Sequence, residues 1–287
     1  MRARRLEAAG LGFDALEAGA GGRPLLLVHG FGGAKEDFAD ALDALAAEGW
    51  HVLAPDLRGH GGSDQPEGRE SYSLELFTDD VLGLAAAVGW ERFALLGHSM
   101  GGMVAQLVAL RSPERVVGLV LMSTSHAAPE AISPGLVELG RQIVHQGGME
   151  LLVAVQRQME GELGTPSHRR LLAERPGYRE FNEAKTLASS SDMWLALVEE
   201  MFAQPDRLKA LSGLDVPTLI LVGAEDESFL GPCQRLAEAM PGARLVVFPD
   251  AGHLPQFEAP NAWWSALSGF LDEVGWRYDA EVRRPRA

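Results

Sequence analysis

The chain has a single cysteine, Cys233, in 287 residues, so no internal disulfide can form and nothing demands an oxidising compartment. It also lacks any apolar run near the ~18 residues that a membrane-spanning helix needs. The opening "MRARRLEAAG" carries the charge of a secretion signal but no apolar stretch behind it, and the expected location is cytoplasmic, with no membrane partner. Positive charge is in deficit, 25 Lys and Arg against 40 Asp and Glu for a net −15, which argues against nucleic acid as a default partner. There is no internal repeat and no low-complexity tract. With 46% hydrophobic residues, the chain can bury the core of one large α/β domain or of one domain with an insertion.

Six short apolar runs end in turn residues: "PLLLVHG", "HVLAPDL", "FALLGH", "VVGLVLMS", "PTLILVGAED" and "ARLVVFPDAG". Such runs suit parallel strands covered on both faces. Between them Phe38, Ala41, Leu42 and Leu45, then Phe77, Val81, Leu84 and Val88, repeat at helical spacing. Strand alternating with helix predicts a mostly parallel central sheet with helices on both faces. "RRLEAAGLGFDALEAG" reads as a hairpin at the sheet edge. From about residue 125 to 205 the alternation stops, and "ISPGLVELGRQIVHQGG", "MELLVAVQRQMEG", "PSHRRLLAE" and "SDMWLALVEEMFAQP" scan as helices with Gly, Pro and Ser breaks. The expected organisation is therefore a core of residues 1–124 and 206–276, an all-helical cap of residues 125–205, and a polar C-terminal tail of residues 277–287.

In an open parallel sheet the ligand site lies beyond the C-terminal ends of the strands, so the residues that end each apolar run are the candidates. "GHSMGG" matches G-x-S-x-G at Gly97, Ser99 and Gly101, between a strand and a helix, where glycines permit the sharp turn that exposes a serine. A serine hydroxyl is a poor nucleophile until a base takes its proton. His253, after the last strand in "PDAGHLPQFEAP", is placed to be that base, and Asp226, ending "LILVGAED", to hold its other nitrogen. Glu225 and Glu227 flank Asp226 but point elsewhere as strand-end neighbours, and Asp250 is better placed to cap the turn before His253. The oxyanion of a tetrahedral intermediate needs fixed donors. The backbone N–H of Met100, at the start of the following helix, and that of Phe31, in "HGFGG", are the expected pair. "HGFGG" lacks the lysine and Ser/Thr of a phosphate loop, and "GAGGRP" is too short for a dinucleotide site.

"HGFGG", "DLRGHGGSD", "GHSMGG", "GAED" and "AGHLPQFEAP", in this order, resemble the α/β-hydrolase family, particularly its bacterial members with a small helical cap. The resemblance spans about residues 5 to 275, with the cap matched in position and helicity only. The order Ser99, Asp226, His253 is the order of that family's triad. Relatives that open epoxides or displace halide carry aspartate where this chain has Ser99. Carbon–carbon hydrolases resemble "GNSMGG" with tryptophan after the histidine, against His98 and Leu254 here. Perhydrolases typically show tryptophan and proline where Phe31 and Gly32 stand.

The resemblance implies a serine esterase that cleaves a carboxylic ester of a small or medium-sized apolar substrate through an acyl-enzyme, without metal or cofactor, as a monomer or homodimer. The alternatives are a lactone or diketone hydrolase on the same triad, or a ligand-binding member of low turnover. His98, Met149, Met159, Met193, Trp194, Met201, Phe202 and Leu254 are the candidate substrate contacts, with packing between helices as the competing role. Arg169, Arg170, Arg175 and Arg179 would meet a substrate carboxylate unless they are simply solvated. Arg58 and Asp64, in "DLRGHGGSD", are expected to be structural.

Overall fold

The computed structural model describes residues 1–129 and 133–282. Eight strands form one sheet in the order β1-β2-β4-β3-β5-β6-β7-β8. They are β1 (Arg2–Ala8), β2 (Leu11–Ala18), β3 (Arg23–Val28), β4 (Trp50–Pro55), β5 (Phe93–His98), β6 (Val116–Met122), β7 (Thr218–Gly223) and β8 (Arg244–Phe248). The hairpin β1–β2 is antiparallel and joins β4 antiparallel at one edge; from β4 onward every pairing is parallel. All six apolar runs are strands.

Because side chains alternate across a strand, each strand supplies two apolar layers. Leu26 and Val28 of β3, Leu95 of β5, and Ile220 and Val222 of β7 face one layer, closed by α2 (Leu74–Ala87), α3 (Met100–Arg111) and α9 (Leu230–Ala239). Leu25, Leu27, Leu96, Leu219 and Leu221 face the other, closed by α1 (Ala39–Ala47) and α11 (Pro260–Val282). The stripes read from sequence are the buried faces of α1 and α2, although Phe38 and Val88 lie just outside the helices as flanking residues. Ser73 caps α2 by accepting from the Leu76 N–H at 3.1 Å.

Between β6 and β7 the chain leaves the sheet for α4 (Pro134–Leu163), α5 (Pro166–Glu174), α6 (Tyr178–Leu187) and α7 (Ser191–Ala203), and returns through α8 (Leu208–Leu211). Two differences from expectation stand out. Helix α6, "YREFNEAKTL", was absent from the helical stretches, because few of its residues are apolar and only Tyr178 and Lys185 are buried. The segment expected to be a tail begins inside α11, which runs on to Val282; residues 283–287 lie outside the described residues. Among the described residues no helix is long and apolar enough to cross a membrane.

Candidate active site

Ser99 follows β5 with φ 53° and ψ −118°, a left-handed strain for a non-glycine residue. Its neighbours explain how the turn is tolerated. A Cβ on Gly97 would lie 2.2 Å from the Gly101 carbonyl oxygen, and one on Gly101 2.4 Å from the carbonyl oxygens of Val28 and His29. Only hydrogen fits at either position. The turn is pinned by the Ser99 N–H, which donates to Met122 O at 2.8 Å, and by the Thr124 hydroxyl, which donates to Ser99 O at 2.7 Å. The Ser99 side chain is half-buried and makes no hydrogen bond among the described residues.

His253 and Asp226 meet as the sequence reading requires. The His253 Nδ1–H donates to Asp226 Oδ2 at 2.8 Å, and Asp226 is buried at 6% exposure. That bond fixes the tautomer and leaves the Nε2 lone pair for proton abstraction. Burial pulls the His253 pKa down, but the charge and hydrogen bond of Asp226, with the charge of Glu258, outweigh it, and the net shift is upward. The imidazole packs against Phe229 and His98, with ring centroids 4.8 and 4.9 Å away. No hydrogen bond joins Ser99 Oγ to His253 Nε2, a looseness common before substrate arrives. Gly30 lies against Ser99 and His98: a Cβ on it would lie 3.1 Å from both Ser99 Cβ and His98 Nδ1.

The two backbone N–H groups expected to serve as oxyanion donors are both without a backbone acceptor among the described residues. Met100 opens α3, so its N–H has no intrahelical acceptor, and the Phe31 N–H has no partner among the described residues. The loop carrying Phe31 is shaped by the Gly33 N–H donating to Gly30 O at 3.0 Å and by buried His29, which accepts from the Leu57 N–H at 3.0 Å. His60 accepts from the Gly32 N–H at 3.3 Å. Burial lowers the pKa of both histidines.

A cavity of about 530 Å³ lies between core and cap. Phe31, His253, Leu254 and Glu258 line it from the core, while Trp194, Met159 and Val153 give it apolar cap surface. Phe31 and Trp194 touch, with ring centroids 5.6 Å apart. Ser99 is not part of the lining.

Of the expected substrate contacts, Met159, Trp194 and Leu254 are on this wall and the others are not. Met149 is buried in a cap cluster with Val144, Leu152 and Leu195. Met193 and Met201 pack into the sheet core, and Phe202 does not reach the cavity. Helical periodicity shows that a face is buried but not against what, hence the misplacement. His98 is buried, and its Nε2–H donates to His253 O at 2.8 Å. Burial, then the neighbouring His253, push its pKa down to about 3, so it stays neutral.

Among the four arginines, only Arg179 lines the cavity. Arg169 donates to Gly164 O, Arg170 to the Asp250 and Glu258 carbonyls, and Arg175 pairs with Asp40. Arg58 pairs with buried Asp80, and Asp64 accepts from the Gly12 N–H, both structural as expected. The sequence reading missed a polar half of the lining, Gln156, Arg157, His168, Asn182, Glu183 and Thr186. Three of these, Asn182, Glu183 and Thr186, belong to α6, the unforeseen helix.

A strained serine, a histidine–carboxylate pair and free backbone donors at the strand ends belong together in one class of protein. Over residues 23–260 the chain matches the alpha/beta hydrolase fold family, and it is a member of that family. It is 28% identical, over 94% of both chains, to the 2-hydroxymuconate semialdehyde hydrolase of Pseudomonas sp. (strain CF600). A hydrolase from Pseudomonas aeruginosa PA01 superposes with TM-score 0.80 at 30% identity, covering 94% of this chain and 98% of that one. A thermophilic esterase from Thermogutta terrifontis, solved with malate bound, does so with TM-score 0.80 at 29% identity, covering 96% and 100%.

Proposed function

We propose that the protein is a serine hydrolase that cleaves a carboxylic ester through an acyl-enzyme. The observation that carries this is the 2.8 Å bond from His253 Nδ1 to buried Asp226, set at the strand ends beside a serine held at φ 53°. His253 Nε2 takes the Ser99 proton as Ser99 Oγ attacks the ester carbonyl, and the N–H groups of Phe31 and Met100 hold the oxyanion. His253 then protonates the departing alcohol, activates a water and restores Ser99. The steps use only these side chains and backbone donors. Residues 125–205 act as the cap that selects substrate over the core formed by residues 1–124 and 206–276.

The cavity supports a substrate of small to medium size with two unlike ends. Phe31, Trp194 and Leu254 offer an apolar wall to the acyl or alcohol group, while Asn182, Thr186 and His168 offer hydrogen bonds to a polar one. The polar wall and the relative named as a 2-hydroxymuconate semialdehyde hydrolase favour hydrolysis of a carbon–carbon bond beside a ketone as the second reading.

The test is steady-state hydrolysis of p-nitrophenyl acyl esters from acetate to decanoate, with Ser99→Ala alongside. Turnover that peaks at one chain length and disappears in the variant supports the esterase. Turnover that survives Ser99→Ala rejects the nucleophile. Silence on esters with cleavage of a vinylogous diketone moves the assignment to the second reading.

A further inference from the structure

The proposed steps use His253 but leave open what holds its backbone. One oxygen of Glu258, Oε2, accepts the N–H groups on both sides of the histidine, Gly252 at 2.7 Å and Leu254 at 3.0 Å. The His253 carbonyl, between them, accepts from His98 Nε2–H at 2.8 Å. Two peptide units, Ala251–Gly252 and His253–Leu254, are thus fixed by side chains from β5 and from α10 (Pro255–Glu258). Glu258 is buried at 9% exposure, an expensive place for a carboxylate unless it is well hydrogen-bonded, and charge-assisted N–H···O⁻ bonds are roughly twice as strong as neutral ones.

The remaining oxygen, Oε1, accepts the Ser167 hydroxyl at 3.2 Å. Ser167 lies in the first turn of cap helix α5, and its own N–H donates at 2.8 Å to Oε2 of Glu225, next in sequence to Asp226. One turn further, Arg170 donates to the carbonyls of Asp250 and Glu258 at 2.5 and 3.2 Å. The first turns of α5 therefore touch both the loop that carries the acid and the loop that carries the base.

We infer that Glu258 is a positioning residue for His253, holding the backbone N–H of the residue on either side of it and joining that loop to the cap through Ser167. This rests on the reading of His253 as the general base. Glu258 acts through the backbone and through its charge, and does not take part in proton transfer. The charged and titratable groups that face the imidazole are Asp226, Glu258 and neutral His98.

Glu258→Gln keeps an acceptor oxygen for the two amides and removes the charge; Glu258→Leu removes both. In Glu258→Leu, kcat should fall about 10²-fold with KM little changed, the size of loss that a misplacement of about 1 Å produces. Glu258→Gln should recover most of that loss. In both variants the ascending limb of the kcat/KM profile should move to lower pH, because a negative charge that favours the imidazolium is gone. A protein in which Glu258 merely stabilises the fold would lose melting temperature without moving that limb. NMR titration of the His253 ring in the same variants reads the inference without substrate. A His253 pKa equal to that of the parent in both variants, or a Glu258→Leu enzyme with parental kcat, overturns it. If Glu258→Leu does not fold, the pH limb and ring titration of Glu258→Gln decide alone. Parent protein that hydrolyses no ester and whose Ser99 resists a fluorophosphonate refutes the serine-hydrolase reading instead, and the ring titration still decides the positioning role.

Discussion

Strand β5 is buried at all six of its residues, and the sheet around it feeds two continuous apolar layers. Among the described residues, the helices between β6 and β7 have clusters of only four and three buried residues, and the smaller contains Phe257 of the core. Much of what fastens the cap is polar. Lys185 of α6 pairs with Asp37 at 2.6 Å, the two side chains 7% and 3% exposed. Asp192 accepts from the Gly68 N–H, Glu200 from the Leu74 N–H, and Ser167 joins Glu225 and Glu258. Helix α7 lends Met193, Leu197 and Met201 to the core cluster rather than to a cap interior. The core carries its own apolar stabilisation, and the cap borrows its order from the core, through directional bonds and through the apolar side chains of α7. Each variant below attacks one side of that contrast.

The largest effect belongs to the core side, where the proposed chemistry rests on the bond between His253 and Asp226. Asp226→Asn leaves the shape intact but cannot enforce the Nδ1–H tautomer, and kcat should fall by about 10⁴-fold, as in other serine triads. The melting temperature should barely move. The pH profile gives the sign check. Because the His253 pKa is raised above its ordinary 6.5, the ascending limb of kcat/KM in the parent should have its midpoint above 6.5, activity being lost as pH falls and the imidazole protonates. In Asp226→Asn the limb should shift downward, since the principal charge that holds the proton is gone. A limb that stays in place would mean that another group controls the rate.

Next comes the buried tie between the two regions. Lys185→Met strands Asp37, whose remaining hydrogen bond is from the Ala34 N–H at 3.2 Å. Removing one partner of a buried pair typically costs about 3–5 kcal/mol. Since Asp37 also borders the loop that carries Phe31, where a Cβ on Gly33 would lie 2.6 Å from Asp37 Oδ2, kcat should fall together with stability. Limited proteolysis should cut first within the cap. Cleavage appearing first in the sheet connections would show that the cap is not the weaker partner.

The same contrast sets what could be read before any coordinates. The strands were legible because burial on both faces demands unbroken apolar runs such as "FALLGH", which no other element of that length explains as well. Gly97, Ser99 and Gly101 were legible because only glycine can let strand and helix backbones come so close. The cap helices other than α6 were legible as helices, yet Met149 and Met193, both on them, go to different interiors. That choice is made by how helices pack, which periodicity does not encode. Glu258 stood in plain view five residues after His253, but a carboxylate that serves backbone amides carries no spacing signal of its own.

The smallest effect tests the cap by itself. Helix α4 is broken at Gly147 and Gly148, with Gly148 at φ 65° and ψ −158°, a region that essentially only glycine occupies. A Cβ there would meet Glu150 Oε2 at 3.1 Å and Ser191 Oγ at 3.7 Å; the first is the end of a flexible side chain, so the penalty is backbone strain rather than collision. Gly148→Ala should therefore destabilise by about 1–3 kcal/mol. If α4 and α6, which contribute to neither apolar layer of the sheet, depend on directional ties to the core, that loss is local. Native-state hydrogen exchange should then show reduced protection in α4 and α6 while the amides of β3, β5 and β6 keep theirs. Equal loss in the sheet would mean that cap and core unfold as one unit, and the contrast between them would be one of composition without a difference in cooperativity.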